Sequence, residues 1–241
     1  MPRLSLRTLR DAALAAALSA CTAPEPAPVP LADDEAAACF ALAHSPASRW
    51  PLTLPPVLAL GERASGELAR LLAEAPHAPG APAVAAALGR VTGDEASRAA
   101  LVAVVQTADE AVACEAALAL GRRRDAPALP ALRAAMADPA RPPLVRAAAG
   151  AAILGVLGRD AAAIDFLCDL LLAGTAEGRA RGMALGLPVD RPRWALERSI
   201  AIEALGSIAG DHDLRLDADA SWPRLAAAVR AARTHFGLEP R

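Results

Sequence analysis

The chain has 241 residues, of which 54% are hydrophobic and 22% are charged, and its formal net charge is −2. This composition excludes wholesale disorder, which requires low hydrophobicity and high net charge, and it argues against a nucleic-acid partner, which requires a concentrated basic surface. Alanine, the best helix former, is abundant, whereas the β-branched and aromatic residues that favour strands are scarce. The sequence therefore predicts an all-α fold.

The first 30 residues are typical of an export signal. Residues 1–11 contain three arginines, residues 12–20 are almost wholly apolar, and four prolines follow in residues 24–30. The apolar run is too short to span a bilayer, which takes about 20 residues. It ends in Leu18-Ser19-Ala20-Cys21, which resembles the bacterial lipobox.

The lipobox resemblance implies cleavage before Cys21 and lipidation of that cysteine. We accordingly predict a lipoprotein signal peptide over residues 1–20, a stiff proline-rich tether over residues 21–30, and a lipid-anchored protein of the bacterial cell envelope. The sequence does not indicate the inner or the outer membrane. The alternative is an ordinary amphipathic N-terminal helix in which the cysteine is incidental.

An internal repeat begins after the tether. Residues 31–43 predict one helix that starts at three acidic residues, and the following segment SPASRWPLTLPP predicts irregular chain because of its prolines. A short apolar-apolar-Gly motif then recurs along the chain. Its glycines are Gly61, Gly89, Gly121, Gly155, Gly186 and Gly206, at spacings of 28, 32, 34, 31 and 20 residues.

The clearest repeat unit covers residues 94–124. Leu101, Val104 and Val105 occupy one face of a first helix, and a second helix carries its apolar face through Cys114, Leu118 and Gly121. Between the two helices, Thr107 to Glu110 matches a capping box. Three arginines at 122–124 fall at the end of the second helix, where cations suit the helix dipole; the alternative is a site for an anionic partner.

Further units repeat this design. Asp125 and Asp160 are each placed to cap a helix, Leu144 begins another, and Gly174-Thr175 leads into a helix that ends at Leu187. Residues 194–209 predict one more helix. A final helix begins after Ser221, and we expect it to pack across the open end of the array.

Paired short helices cannot bury their apolar faces alone, so neighbouring pairs must stack into one continuous core. Pairs with a period just above 30 residues and an AAxALG ending resemble the short, bilin-lyase-type class of HEAT repeats, over roughly residues 50–210. The resemblance implies an α-solenoid of antiparallel helix pairs. We predict this solenoid over residues 31–210, followed by an acidic loop and a capping helix over residues 211–241.

Candidate sites are few. Four aspartates around His212 (Asp211, Asp213, Asp217 and Asp219) form an acidic loop. This loop lacks the EF-hand pattern and is either a calcium site or a solvated loop. Trp50, Trp194 and Trp222 are either interface anchors or large rings that cover the ends of the core. No zinc, phosphate-loop or nucleophile-elbow motif is present.

The leading hypothesis is a non-catalytic scaffold that needs no cofactor and binds a protein partner. We expect its binding surface on the second helices of the pairs, with Glu115 and Arg146 as solvent-side candidates and Trp194 as a third. The alternative from another class is an enzyme or enzyme subunit related to HEAT-like lyases. It would use a reactive thiol, for which Cys39 beside His44 is the best candidate, or a pocket that the sequence does not reveal. We expect no structural disulfide.

Overall fold

The structure is a computed structural model that describes residues 30–91, 93–106, 109–173, 175, 178–187, 195–209, 214, 216 and 221–238. Contacts divide the chain into two units, Met1–Pro30 and Leu31–Arg241. The predicted signal peptide and Cys21 lie outside the described residues, as do Trp194 and the acidic loop residues 211–213, 217 and 219. The described helices all belong to the second unit, Leu31–Arg241.

All regular structure in the described residues is helical, as predicted. Three 3-10 turns cover Ala47–Arg49, Gly61–Ala64 and Ala126–Ala128. The α-helices are α1 Asp33–His44, α2 Trp50–Ala59, α3 Ser65–Glu74, α4 Ala81–Leu88, α5 Glu95–Val105, α6 Glu110–Arg122, α7 Leu129–Ala137, α8 Pro143–Leu157, α9 Ala161–Leu172, α10 Arg179–Ala184, α11 Ala195–Ile208 and α12 Trp222–His235.

These helices form two rows, which confirms the predicted α-solenoid. The first row contains α3, α5, α7 and α9, and the second row contains α4, α6, α8 and α11. Each first-row helix packs against its partner in the second row, and α4, α6, α8 and α11 also pack one against the next. The core is one continuous cluster of mostly alanine, leucine and valine side chains, because no single pair could bury its apolar face alone.

The recurring glycines explain how closely the second-row helices approach. A Cβ added to Gly89 would lie 2.7 Å from the Cα of Ala119, and one added to Gly121 would lie 2.7 Å from the Cα of Ala152. A Cβ on Gly155 would lie 3.0 Å from the carbonyl oxygen of Gly121. Backbone therefore packs on backbone at these three copies of the motif, as the small residues of the sequence predicted.

The cap predicted at Asp160 is present, the one predicted at Asp125 is absent, and the structure adds a cap at Asp94. The Asp94 carboxylate accepts a hydrogen bond from the Ser97 backbone N–H at 2.8 Å, and Asp160 accepts from Ala163 N–H at 2.9 Å. Asp125 makes no such bond. Its carboxylate instead forms ion pairs of 3.6 Å with Arg98 and Arg123, because the turn after α6 buries it between those two side chains.

The N-terminal cap corrects one prediction. The proline-rich segment expected to be irregular contains α2, although Pro55 and Pro56 lie inside that helix. A proline inside a helix removes a backbone hydrogen bond and destabilises the helix. Helix α2 nevertheless buries Val57 completely and packs Leu54 and Leu58 against the core. Tertiary packing therefore outweighs the local effect of the prolines.

The C-terminal cap is held by apolar packing and by charges. Helix α12 packs against α9, as expected for a helix that closes one end of the array, and it buries Leu225 and Val229 completely. The Arg233 guanidinium is 2% exposed and pairs with Asp165 and Asp169 of α9. Ser221 occupies the N-cap position of α12 but makes no side-chain cap hydrogen bond.

A second arginine completes this network. Arg181, between α9 and α12 in the sequence, pairs with Asp169 and lies 3.1 Å from the Asp165 carboxylate. Burial raises the pKa of Asp169, and the hydrogen bond and charge of Arg181 oppose that rise. Two carboxylates and two guanidinium groups therefore balance in charge where the last helix meets the array.

Candidate functional site

A groove of about 290 Å³ crosses the second row where α6, α8 and α11 lie side by side. It includes residues from three neighbouring helices of the second row. The lining residues are Leu118, Gly121, Arg122, Ala151, Ala152, Gly155, Ile200, Glu203, Ala204 and Ser207.

The groove exists because the middle helix has almost no side chains on this face. Its floor is Ala151 and Gly155 of α8, while Leu118 of α6 and Ile200 of α11 contribute larger side chains to the lining. Gly121 brings α6 onto Ala152 of α8, so the floor also stays close to one wall. A stripe of small residues between larger ones leaves an apolar channel that side chains of another molecule could fill.

Charged groups border this channel on both sides. The Arg122 guanidinium lies 3.5 Å from the Glu115 carboxylate on α6, and both side chains are partly exposed. Glu203 of α11 is exposed on the other side. An apolar strip between charged edges is the usual composition of a protein-interaction surface.

The predicted site residues do not lie together in the structure. Glu115 lies beside this groove with its side chain 34% exposed, and its role in partner binding stays a prediction. Trp194 and Cys21 lie outside the described residues. Sequence reasoning missed Ile200, Glu203 and Ser207, although their spacing of three and four residues places them on one helix face.

Arg146 was predicted to be solvent-exposed, and this prediction was wrong. The side chain is 2% exposed, and its Nε and Nη1 donate hydrogen bonds to the carbonyl oxygens of Met136 (2.9 Å) and Leu185 (2.6 Å). The guanidinium also lies 4.9 Å from the centre of the Phe166 ring. Because all these partners lie inside the array, Arg146 joins α7, α8 and the segment after α10.

The three arginines after α6 have different surroundings. Arg122 pairs with Glu115, and the Arg123 guanidinium donates to the Ser97 hydroxyl at 2.9 Å while burial lowers its pKa. Arg124 adopts a left-handed backbone conformation (φ 52°) where the chain leaves the helix. Two of the three side chains therefore stabilise the turn and the helix surface, which favours the structural interpretation.

The cysteines of the described residues are buried and unpaired with one another. Burial, together with nearby Glu67 and Glu35, raises the pKa of the Cys39 thiol to about 11. Burial likewise raises the pKa of Cys114 and of Cys168 to about 12. His44, the proposed partner of Cys39, stacks on the exposed Phe40, and its Nδ1 lies 3.0 Å from the Phe40 carbonyl oxygen.

Two of the three tryptophans, Trp50 and Trp222, lie within the described residues. Trp50 is half-buried at the start of α2, packs against the core and donates its Nε1–H to the Ser45 carbonyl oxygen at 3.3 Å. That contact fits the capping interpretation. Trp222 is 41% exposed at the start of α12, and its ring lies 4.9 Å from the Arg198 guanidinium.

The described residues contain no group of three or more His, Cys, Asp or Glu side chains that could hold a metal ion. The helices given above include none that combines the length and apolar character needed to cross a bilayer.

Comparison with known families supports the repeat assignment. A family model described as HEAT repeats matches residues 67–154, which extend from α3 into α8. No curated protein and no solved structure gives a significant match to the chain. Residues 67–154 are therefore similar to HEAT repeats, in agreement with their periodicity, and assignment to the bilin-lyase-type class stays a prediction.

Proposed function

From the HEAT repeats of residues 67–154, which are generally modules for protein interaction, we propose that this chain is a lipid-anchored, exported scaffold of the bacterial cell envelope. Its protein partner occupies the groove formed by α6, α8 and α11. The observation that carries the proposal is the apolar floor of that groove, bordered by Arg122 on one side and Glu203 on the other.

The groove suits a protein segment because of its size and composition. Its floor offers backbone and methyl groups at Ala151 and Gly155, so one or two large apolar side chains of a partner can be buried there. Fully burying such a side chain contributes about 1.5–3 kcal/mol. The bordering charges then select a partner by the signs of its own flanking residues.

The proposed protein is non-catalytic. The rival hypothesis of a reactive-cysteine enzyme requires a thiolate that solvent can reach, because the thiolate is the nucleophile. Cys39 is completely buried and its pKa is raised to about 11, so its environment opposes that role. Rapid, selective labelling of Cys39 in the folded protein would favour the rival.

Lipid anchoring depends on Cys21, and its support is the lipobox-like sequence together with the proline-rich residues that follow. The test is a Cys21→Ser variant expressed in a bacterium with a lipoprotein pathway. We expect the unaltered chain in the membrane fraction, with a mass increased by the lipid, and the variant released from that fraction. Unchanged membrane partitioning of the variant would refute the anchor.

The binding surface is tested by site-specific photo-crosslinking in cells. A photoreactive residue is placed at Ser207, which is exposed in the groove, and in a control chain at Ala134, which is exposed on α7 in the first row. We expect a discrete protein adduct from position 207 alone, weakened when Glu203→Arg is added. Identical adducts from both positions, or none from position 207, would argue against the groove.

A further inference from the structure

Helix α2 has an apolar surface on the side that faces away from the core. Its sequence, WPLTLPPVLA, contains no charged residue. Val57 is completely buried, whereas the opposite face exposes Leu52, Pro55, Pro56 and Ala59 at the spacing of one helix stripe. Leu52 is 77% exposed, which makes it the most exposed large apolar side chain of the described residues.

This face is unusual for the end of a solenoid. Terminal units normally present a polar outer surface, because no further repeat covers them. The other end of this chain follows that rule, since α12 exposes Arg224, Arg230 and Thr234. A helix that is apolar on all sides is normally buried on all sides, so the α2 face requires an apolar neighbour.

The position of α2 indicates what that neighbour is. Arg63, just after α2, forms an ion pair with Glu35 in the first turn of α1. The end of α2 therefore lies beside the start of α1, which is where the chain arrives from Cys21. The ten residues 21–30 can span at most about 35 Å even if fully extended, and α2 itself is about 15 Å long.

We propose that the outer face of α2 docks on the lipid bilayer that holds Cys21. This inference rests on the lipid anchor of the proposed function. Acyl chains at Cys21 bring the face within a tether length of the lipid, and Leu52 and the two prolines then enter the interfacial region.

The test uses the mature lipidated protein with one introduced cysteine, Leu52→Cys, labelled with the fluorophore NBD. The matched control is Met183→Cys on α10, where the native side chain is apolar and 58% exposed. The native thiols of the described residues are buried, and an acylated Cys21 has no free sulfur. Both proteins are placed in vesicles of phosphatidylethanolamine and phosphatidylglycerol (3:1), with and without brominated acyl chains.

We expect brominated lipid to quench the label at position 52 several-fold more than the label at position 183. Equal, weak quenching at both positions overturns the docking while leaving the anchor intact, provided that the mass of the protein includes the lipid. A blue-shifted but unquenched label at position 52 also overturns it and identifies a protein cover, such as a second copy. A protein without lipid mass and without quenching refutes the anchor and the docking together.

Discussion

The apolar-apolar-Gly motif leads to a prediction in which one substitution has opposite effects at two of its copies. Gly121 and Gly206 both lie in the last turn of second-row helices, α6 and α11. At Gly121 an added Cβ would lie 2.7 Å from the Cα and 3.0 Å from the Cβ of Ala152. At Gly206 an added Cβ would meet nothing within 4 Å.

The expected magnitudes follow from two competing effects. Replacing a helical glycine by alanine favours the helix by about 1 kcal/mol, and at Gly206 nothing opposes this gain. At Gly121 the added methyl group collides with the backbone of α8, which cannot move without disturbing its contacts with α7, α9 and α11. Overpacking of this kind costs about 1–3 kcal/mol. After the helix gain of about 1 kcal/mol is subtracted, we expect Gly121→Ala to lower the free energy of unfolding by up to about 2 kcal/mol.

Urea unfolding of the two variants, followed by circular dichroism, measures this difference. Gly206→Ala should raise the stability by about 0.5–1 kcal/mol, and thermal unfolding should move in the same directions by about 2–4 °C per kcal/mol. Stabilisation by Gly121→Ala would refute the argument that the motif serves close helix approach. Destabilisation by Gly206→Ala would show that the outer face of α11 is covered.

Three further predictions concern charge and burial. Arg233→Met removes a buried cation from the α9–α12 network, so the free energy of unfolding should fall by about 3 kcal/mol at neutral pH. Because burial raises the pKa of Asp169, this loss should become smaller as the pH falls. Hydrogen exchange that leaves α12 fully protected in the variant would contradict the prediction. Asp160→Asn keeps the cap but removes the charge paired with Arg133 at 3.0 Å. Although burial opposes it, hydrogen bonds from Ala163 and Arg133 lower the pKa of Asp160. The stability contributed by this charge is therefore complete above the unfolded pKa of about 3.8 and is lost as the pH falls through the lower folded pKa. We expect Asp160→Asn to lower the free energy of unfolding by less than about 1 kcal/mol above this range and to have no effect below it. A difference between the two proteins that does not change with pH would refute this prediction. In a Cys21→Ser chain, thiol reagents should react no faster than the protein opens, and one rapidly modified thiol would contradict this for Cys39, Cys114 and Cys168.

The sequence predicted those features that depend on neighbours within one helix or one repeat. The apolar face around Leu101 and the cap at Asp160 follow from spacings of three and four residues. The location of Arg146 did not follow, because its burial depends on the Leu185 carbonyl, 39 residues away. Nothing local distinguishes a charged side chain that faces solvent from one that meets carbonyl groups of the next repeat.

The same limit applies to the ends and to the groove. The prolines of α2 favour irregular chain locally, and only contacts with the core make that segment helical. The pairing of Asp165 with Arg233 joins residues 68 positions apart. Glu115 could be proposed from the sequence because it lies on a recognisable helix face, whereas the opposite wall at Glu203 required the packing of α11 beside α8.

Packing and the proposed binding surface are coupled in the second row. Gly155 lies against Gly121 of α6 and also forms the floor of the groove. Enlarging Gly155 would therefore fill the groove and separate α6 from α8 at once, so a loss of binding there could not be assigned to the surface alone. Glu203 and Ser207 are exposed on α11 and line the groove as well. Substitutions at these two positions should change partner binding while the free energy of unfolding stays within about 0.5 kcal/mol, and a larger change would mean that the α11 wall also holds the array together.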